Sequence, residues 1–333
     1  MEIIAIFSVL SIGRCLEEAD NAFRYQREID AMPTGLAILD DNGTLVEITM
    51  EEKPRSKAFR RKSNNFANTF NLFTRKNPTR SQQLWTNKPK ILARSYFNAE
   101  RPTRFITHGW RCNGNSVSCT LIRDAYLEND DCNVIVFDWR RNSLKPYIWA
   151  AKRIVRTGLE VARMIDFLVD YGQLDPDTTT LVGHSLGAHV MGLAGYYSNH
   201  SMRYVMTFFQ GLDPALPMFR FATPESSISK EDGQHVQIIH TNGGCLGYLG
   251  GVGHTDFYPN GGTKQPGCLS ANLVACACSH RRAIEYFAES IRTTEPFYGW
   301  KCGSFVNFLA GNCVDQAVPM GGVELSNSTF GQI

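Results

Sequence analysis

Apolar and polar positions settle into a regular pattern only from Asn68 onward, and the elements they predict alternate between strand and helix. Thr69 to Phe73 alternates and closes on Asn77-Pro78, which predicts a strand and a turn. Arg104 to Thr107 predicts a short strand that runs into His108-Gly109-Trp110. A helix fits Leu121 to Leu127, and the apolar run Asn133 to Trp139 predicts a buried strand. Tyr147 to Tyr171 predicts one long helix with Val155, Leu159, Ala162, Ile165 and Val169 on one face. Thr178 to Val182, Arg203 to Phe209 and His235 to His240 read as further strands; Ala188 to Tyr197 and His280 to Ile291 read as helices. Strand and helix alternate from 104 to 210, which predicts an α/β class with a mostly parallel sheet. Residues 63–333 are assigned to this one domain.

The first 62 residues have a different character. Ile3 to Ile12 is an apolar run of the length of a secretory leader core, ending near Gly13 and Cys15. It predicts a signal peptide over 1–15, although Glu2 stands where a basic residue is usual. A buried N-terminal strand is the alternative. Residues 16–62 start acidic and end in the basic run Lys53 to Lys62, without sustained periodicity. Arg60-Arg61-Lys62 reads as a processing site releasing a pro-segment, or as part of a solvated arm. Ten cysteines suit an oxidising compartment. Asn42, Asn199 and Asn327 each open a glycosylation sequon, usable only on the secretory path. No later apolar run reaches membrane-span length, so a secreted, soluble product is expected, as a monomer. With 43% hydrophobic and 20% charged residues there is ample core, and a net charge of +2 argues against a nucleic-acid partner.

Gly183-His184-Ser185-Leu186-Gly187 fits G-x-S-x-G, with a β-branched run before it and an apolar helix after it. Such a turn lifts a serine hydroxyl above the sheet. A serine alone is a poor nucleophile and needs a histidine base oriented by an acid. Asp213 follows the Arg203 to Phe209 strand, at the carboxyl end where catalytic groups of open α/β sheets collect. The histidine must come later, which leaves His235, His240, His254 and His280. His235 and His240 flank a predicted strand. His254 sits in a glycine-rich loop. His280 is favoured because nearby cysteines would fix its loop, but the residues alone leave the choice open. Leu186 N–H, next after the serine, and Trp110 N–H, after the glycine of His108-Gly109-Trp110, are the expected oxyanion donors. No metal and no cofactor are required by this chemistry.

Phe105 to Trp110, Gly183 to His189, Gly211 to Ala215, Asp256 to Gly262 with Gln265 to Cys268, and Cys278 to His280 together resemble the pancreatic lipase superfamily. The likeness is greatest to its insect branch, which includes wasp-venom-type phospholipases A1, and runs from about 66 to 315. It implies an α/β-hydrolase fold, attack on lipid esters, and a triad of Ser185, Asp213 and His280 with Trp110 and Leu186 as oxyanion donors. It also implies a Cys268–Cys278 bridge; Cys245–Cys276 and Cys302–Cys313 are expected beside it. Cys276 and Cys278 are too close to bridge each other. Cys112–Cys119 is expected from spacing, which leaves Cys132 unpaired once Cys15 is removed.

Two departures shape the expected substrate. Digestive members carry a C-terminal β-sandwich domain, for which this sequence leaves no room. Their disulfide-bounded lid exceeds twenty residues, whereas nine lie between Cys268 and Cys278 here. Even fully helical, nine residues span only about 14 Å. So short a loop, with apolar Leu269, Leu273 and Val274, is expected to leave the serine accessible without an oil interface. A phospholipid substrate cleaved at its sn-1 ester at a membrane or micelle surface is therefore expected. A general lipase on triacylglycerol or galactolipid is the alternative, and a non-catalytic lipid carrier a remoter one. Glu225 and Asp232 stand near where some relatives hold calcium, but at altered spacing, so no site is expected.

Overall fold

The computed structural model describes residues 2–6, 36–40, 44–48, 67–199, 208–268, 273–303, 305–314 and 316–323. In chain order its principal elements begin with strands β1 (Glu2–Ile6), β2 (Leu36–Leu39), β3 (Leu45–Ile48), β4 (Thr69–Phe73), β5 (Gln82–Leu84) and β6 (Thr103–Thr107). Helix α1 (Val117–Asn129), strand β7 (Asn133–Asp138) and helices α2 (Tyr147–Ala151) and α3 (Ile154–Gly172) follow. Then come β8 (Thr179–His184), α4 (Leu186–Tyr197), β9 (Phe208–Leu212), β10 (His235–Ile239) and β11 (Thr255–Phe257). Helix α5 (Leu273–Arg292) and strands β12 (Phe297–Cys302) and β13 (Ala317–Met320) complete the set.

Among the described residues, eleven strands form one sheet in the order β13-β12-β1-β11-β10-β9-β8-β6-β7-β4-β5. From β1 through β7 every neighbour is parallel; β4, β5, β12 and β13 add antiparallel edges. β6, β7 and β8 are buried throughout, as strands covered on both faces are. One face packs under α3 and α4, with Phe105, Leu181, Ile165, Val190 and Leu193 in its core. The other packs under α1 and α5, with Ile106, Val182, Ile122, Ile284 and Phe287. This is the α/β-hydrolase architecture, and among the described residues no C-terminal β-sandwich follows it.

Three expectations change. The long helix over 147–171 is two helices, broken at Lys152 and Arg153, where Arg153 takes φ −105° and ψ 0°. The first piece is tied sideways, with the Tyr147 hydroxyl donating to Pro217 O at 2.9 Å and its ring edge-on to Trp110. The second lies along α4, and one straight axis does not serve both contacts. The 16–62 segment, read as aperiodic, contains the β2–β3 hairpin, whose Leu36, Ala37 and Ile48 are buried against the core. Glu2–Ile6 lies between β11 and β12, the strand alternative for the apolar start. The expected cleavage after Cys15, the basic run to Lys62 and the strand residues 203–207 fall outside the described residues.

Candidate active site

The strand-to-helix turn at the end of β8 holds Ser185 at φ 59° and ψ −124°, a backbone region costly for any side chain. Its N–H donates to Leu212 O at 3.0 Å, which ties the turn to β9. The flanking glycines are there for space: a Cβ on Gly183 would lie 2.2 Å from Gly187 O. On the far side the loop after β6 presses in, since a Cβ on Gly109 would meet Ser185 Cβ at 3.0 Å. The sheet thus brings His108-Gly109-Trp110 against the serine turn. Trp110 and Leu186 are buried, and among the described residues neither main-chain N–H has an acceptor. Buried N–H groups without partners are uncommon enough to call for a role.

Asp213 follows β9 and is fully buried, at φ 44°. Its Oδ1 accepts the N–H groups of Thr241 at 2.9 Å and Asn242 at 3.0 Å. Its Oδ2 lies 2.5 Å from His280 Nδ1. The two backbone donors occupy one oxygen and leave the other for the imidazole, which fixes the side-chain orientation. Gly247 backs the carboxylate so closely that a Cβ there would sit 2.3 Å from Oδ1. His280 lies well inside α5 rather than at its start, because α5 begins seven residues earlier at Leu273. His184, the residue before the serine, donates from Nε2 to His280 O at 3.0 Å, and the two rings lie 4.5 Å apart. Burial, and then the neighbouring His280, hold His184 well below the ordinary imidazole range, so it stays neutral.

The other three candidate histidines have structural partners. His235 stacks on Phe208, and burial lowers its pKa to about 4. His254 Nδ1 accepts Val236 N–H at 3.1 Å. His240 bridges Tyr248 O and Asp256 Oδ1, both at 2.8 Å. Glu225 accepts the Tyr196 hydroxyl, and Asp232 accepts Ser229 N–H at 2.7 Å in a helix cap. Among the described residues no cluster fit to hold a metal ion occurs.

Among the described residues, three disulfides join Cys245 to Cys276, Cys268 to Cys278 and Cys302 to Cys313. The expected Cys112–Cys119 bridge is not among them: Cys119 turns inward from α1 into the core beside Ile106 and Ile122, whereas Cys112 is only half-buried. Burial pushes the unpaired Cys132 thiol up to about 12, which leaves it inert. Leu269 lies outside the described residues, Leu273 opens α5, and Val274 is exposed. Of the short segment between Cys268 and Cys278, residues 273–277 form the start of α5, anchored by two bridges. Asn199 is exposed, and both its N–H and its side-chain amide donate to Asp166. Asn42 and Asn327 fall outside the described residues.

Thr241, Asn242, Gly247 and His184 escaped the sequence reading. The only signal was position: Thr241 and Asn242 follow β10, the strand beside β9, at the same sheet edge as Asp213. Gln265, seen only as part of a motif, is a buried hub that donates to Thr241 O and Pro259 O, both at 3.0 Å.

A model of the family described as Lipase matches residues 40–327. Lipase member H-A of Xenopus laevis is 36% identical over 249 residues, covering 73% of this chain and 53% of that protein. Pancreatic triacylglycerol lipase of Cavia porcellus is 32% identical over 265 residues, covering 73% and 56%. Inactive pancreatic lipase-related protein 1 of Homo sapiens is 33% identical over 276 residues, covering 76% and 58%. The chain spans a little over half the length of these curated relatives.

Proposed function

The chain belongs to the Lipase family, and from that premise we propose that it is a secreted serine esterase acting on membrane phospholipid. The observation that carries the esterase reading is the buried Asp213–His280 pair beside the strained serine turn. His280 Nδ1–H donates to Asp213, which presents Nε2 as the base. In the proposed reaction Nε2 takes the Ser185 hydroxyl proton as the oxygen attacks the acyl carbonyl. The Trp110 and Leu186 N–H groups receive the developing oxyanion. Collapse expels the lysolipid alcohol, which takes the proton from His280. Water then gives a proton to the same imidazole and attacks the acyl-enzyme, releasing fatty acid and restoring Ser185.

The substrate preference rests on the lid. Cys268–Cys278 and Cys245–Cys276 both grip the start of α5, so this segment has no long hinge on which to swing. A site that opens without an oil interface suits a phospholipid presented in a bilayer or micelle, cleaved at the sn-1 ester. Disulfides support an extracellular setting. Among the described residues no helix is long and apolar enough to cross a membrane. Activity on triacylglycerol is the second reading, favoured by the pancreatic triacylglycerol lipase relative. The inactive relative shows that family likeness alone does not secure catalysis. Purified protein assayed on phospholipid with distinguishable sn-1 and sn-2 chains, and on triacylglycerol across its solubility limit, tests this. Release of the sn-1 chain without an interfacial jump is expected. A sharp jump on triacylglycerol with phospholipid barely cleaved sinks the substrate assignment, and failure of an organophosphate to label Ser185 sinks the esterase.

A further inference from the structure

His108 is fully buried and plays no part in the proton transfers above. Its Nδ1 lies 3.0 Å from the carbonyl oxygen of Gly109, the next residue. A carbonyl only accepts, so this contact calls for the hydrogen on Nδ1. Nε2 then accepts Trp139 N–H at 3.2 Å, with Asp138 Oδ1 3.3 Å away. The imidazole is stacked on the Trp139 indole, with the ring planes 10° apart. The preceding peptide is pinned as well, because Trp139 Nε1 donates to His108 O at 2.8 Å. Asp138 is itself fixed: Arg140 N donates to Oδ1 at 3.0 Å and Arg140 Nε to Oδ2 at 2.7 Å.

The Gly109 carbonyl and the Trp110 N–H belong to one planar peptide and point in opposite directions. A bond that holds the oxygen toward the buried imidazole turns the N–H the other way. We infer that His108 is a positioning residue which sets the Gly109–Trp110 peptide so that its N–H serves as an oxyanion donor. Gly109 makes such a device necessary. A glycine turns freely about both backbone torsions, and without a latch this peptide would sample orientations that withdraw the donor. Packing does not supply the latch from the serine side, where Gly109 carries no side chain and a Cβ would already crowd Ser185 Cβ at 3.0 Å. The ring beneath the loop supplies it instead. This inference rests on the esterase reading.

The test uses the full chain with a soluble p-nitrophenyl ester as substrate and an alkyl boronic acid as the probe of oxyanion binding. His108→Leu removes the latch; His108→Asn keeps an amide donor near the position of Nδ1. Loss of one oxyanion donor costs roughly 100- to 1,000-fold in kcat, so His108→Leu should lower kcat by about 100-fold with KM little changed. Boronic acid affinity should fall with kcat, and His108→Asn should recover most of both. The inference is overturned if His108→Leu keeps kcat within ~3-fold of the parent. It is also overturned if kcat falls with boronic acid affinity intact, or if Asn rescues no better than Leu. Should the leucine variant fail to fold, His108→Gln, which reaches the Nε2 side instead, takes its place in the comparison with Asn. If the parent hydrolyses no ester, the esterase reading fails. A crystal structure of His108→Leu then decides the inference alone: a rotated Gly109–Trp110 peptide supports it and an unmoved one overturns it.

Discussion

A single methyl group added at Gly247 should disable the Asp213–His280 pair without touching either residue. A Cβ built there lies 2.3 Å from Asp213 Oδ1 and 2.5 Å from both Cγ and Oδ2, whereas real Cβ atoms essentially never come within 3.0 Å. The contact is to a carboxylate that cannot step aside cheaply. Its Oδ1 is held by Thr241 and Asn242 N–H, and its Oδ2 by His280. Gly247 is equally held, its N–H donating to Asn242 O at 3.1 Å and its carbonyl accepting Gly244 N–H at 2.9 Å. Relief therefore requires the carboxylate to move by roughly 1 Å, a misplacement that can cost ~100-fold in rate. Gly247→Ala should thus lower kcat on a soluble ester by about 100-fold, toward the ~10,000-fold typical of losing the acid itself. Overpacking should cost about 1–3 kcal/mol of stability, read from the urea midpoint. Gly247→Ala with kcat within ~3-fold of the parent refutes the reasoning.

Acid stability offers an independent check. His189 donates from Nε2 to Ala215 O and accepts Ile228 N–H at Nδ1, an arrangement only the neutral ring can make. Burial lowers its pKa to about 4 against an ordinary 6.5. The unfolded chain binds the proton first, so stability is full above pH 6.5 and falls as pH drops toward 4, by up to about 3 kcal/mol for this residue. Urea midpoints between pH 7 and 4 should show that slope, and His189→Gln should flatten it; an unchanged slope in the variant refutes the assignment. Replacing both Cys245 and Cys276 by alanine opens a bridge with a sequence separation of 31, which should cost about 3–4 kcal/mol. The freed lid should then show a jump on triacylglycerol above its solubility limit that the parent lacks; a parent with the same jump counts against the rigid-lid argument.

The central sheet was legible because its strands are short, continuous and bounded by turns, as β6, β7 and β8 show. What escaped was where packing, not local pattern, decides. Nothing in the amphipathic run 147–171 marks the break at Lys152. Its cause lies in the Tyr147 contacts to Pro217 and Trp110, seventy and thirty-seven residues away in opposite directions along the chain. The antiparallel edge strands β5 and β13 and the β2–β3 hairpin escape because each strand is only three or four residues long, too short for a period to show. Helix α5 was read as starting at His280, since Leu273 to Ser279 resembled a loop between cysteines. The structure continues the helix through them.

Within the candidate site, the groups that would do chemistry were visible and the groups that aim them were not, for a reason rooted in the fold. A nucleophile, a base and an acid need particular side chains, and particular side chains leave a mark in sequence. Aiming is done here largely by main-chain atoms: Thr241 and Asn242 N–H on Asp213, Leu212 O on the serine turn, His280 O on His184. Every residue type except proline presents the same N–H and C=O, so such contacts carry no signature. What sequence records is the space they need, as glycines at 109, 183, 187 and 247, each wedged against another segment of the site. A glycine is informative only once its neighbour is known. Gly183 could be read because its neighbour, Gly187, is four residues away, whereas a Cβ on Gly187 itself would meet the distant His108 O. Gly109 and Gly247 act on residues seventy-six and thirty-four positions distant, and only the parallel order β6-β8-β9-β10 brings each pair together.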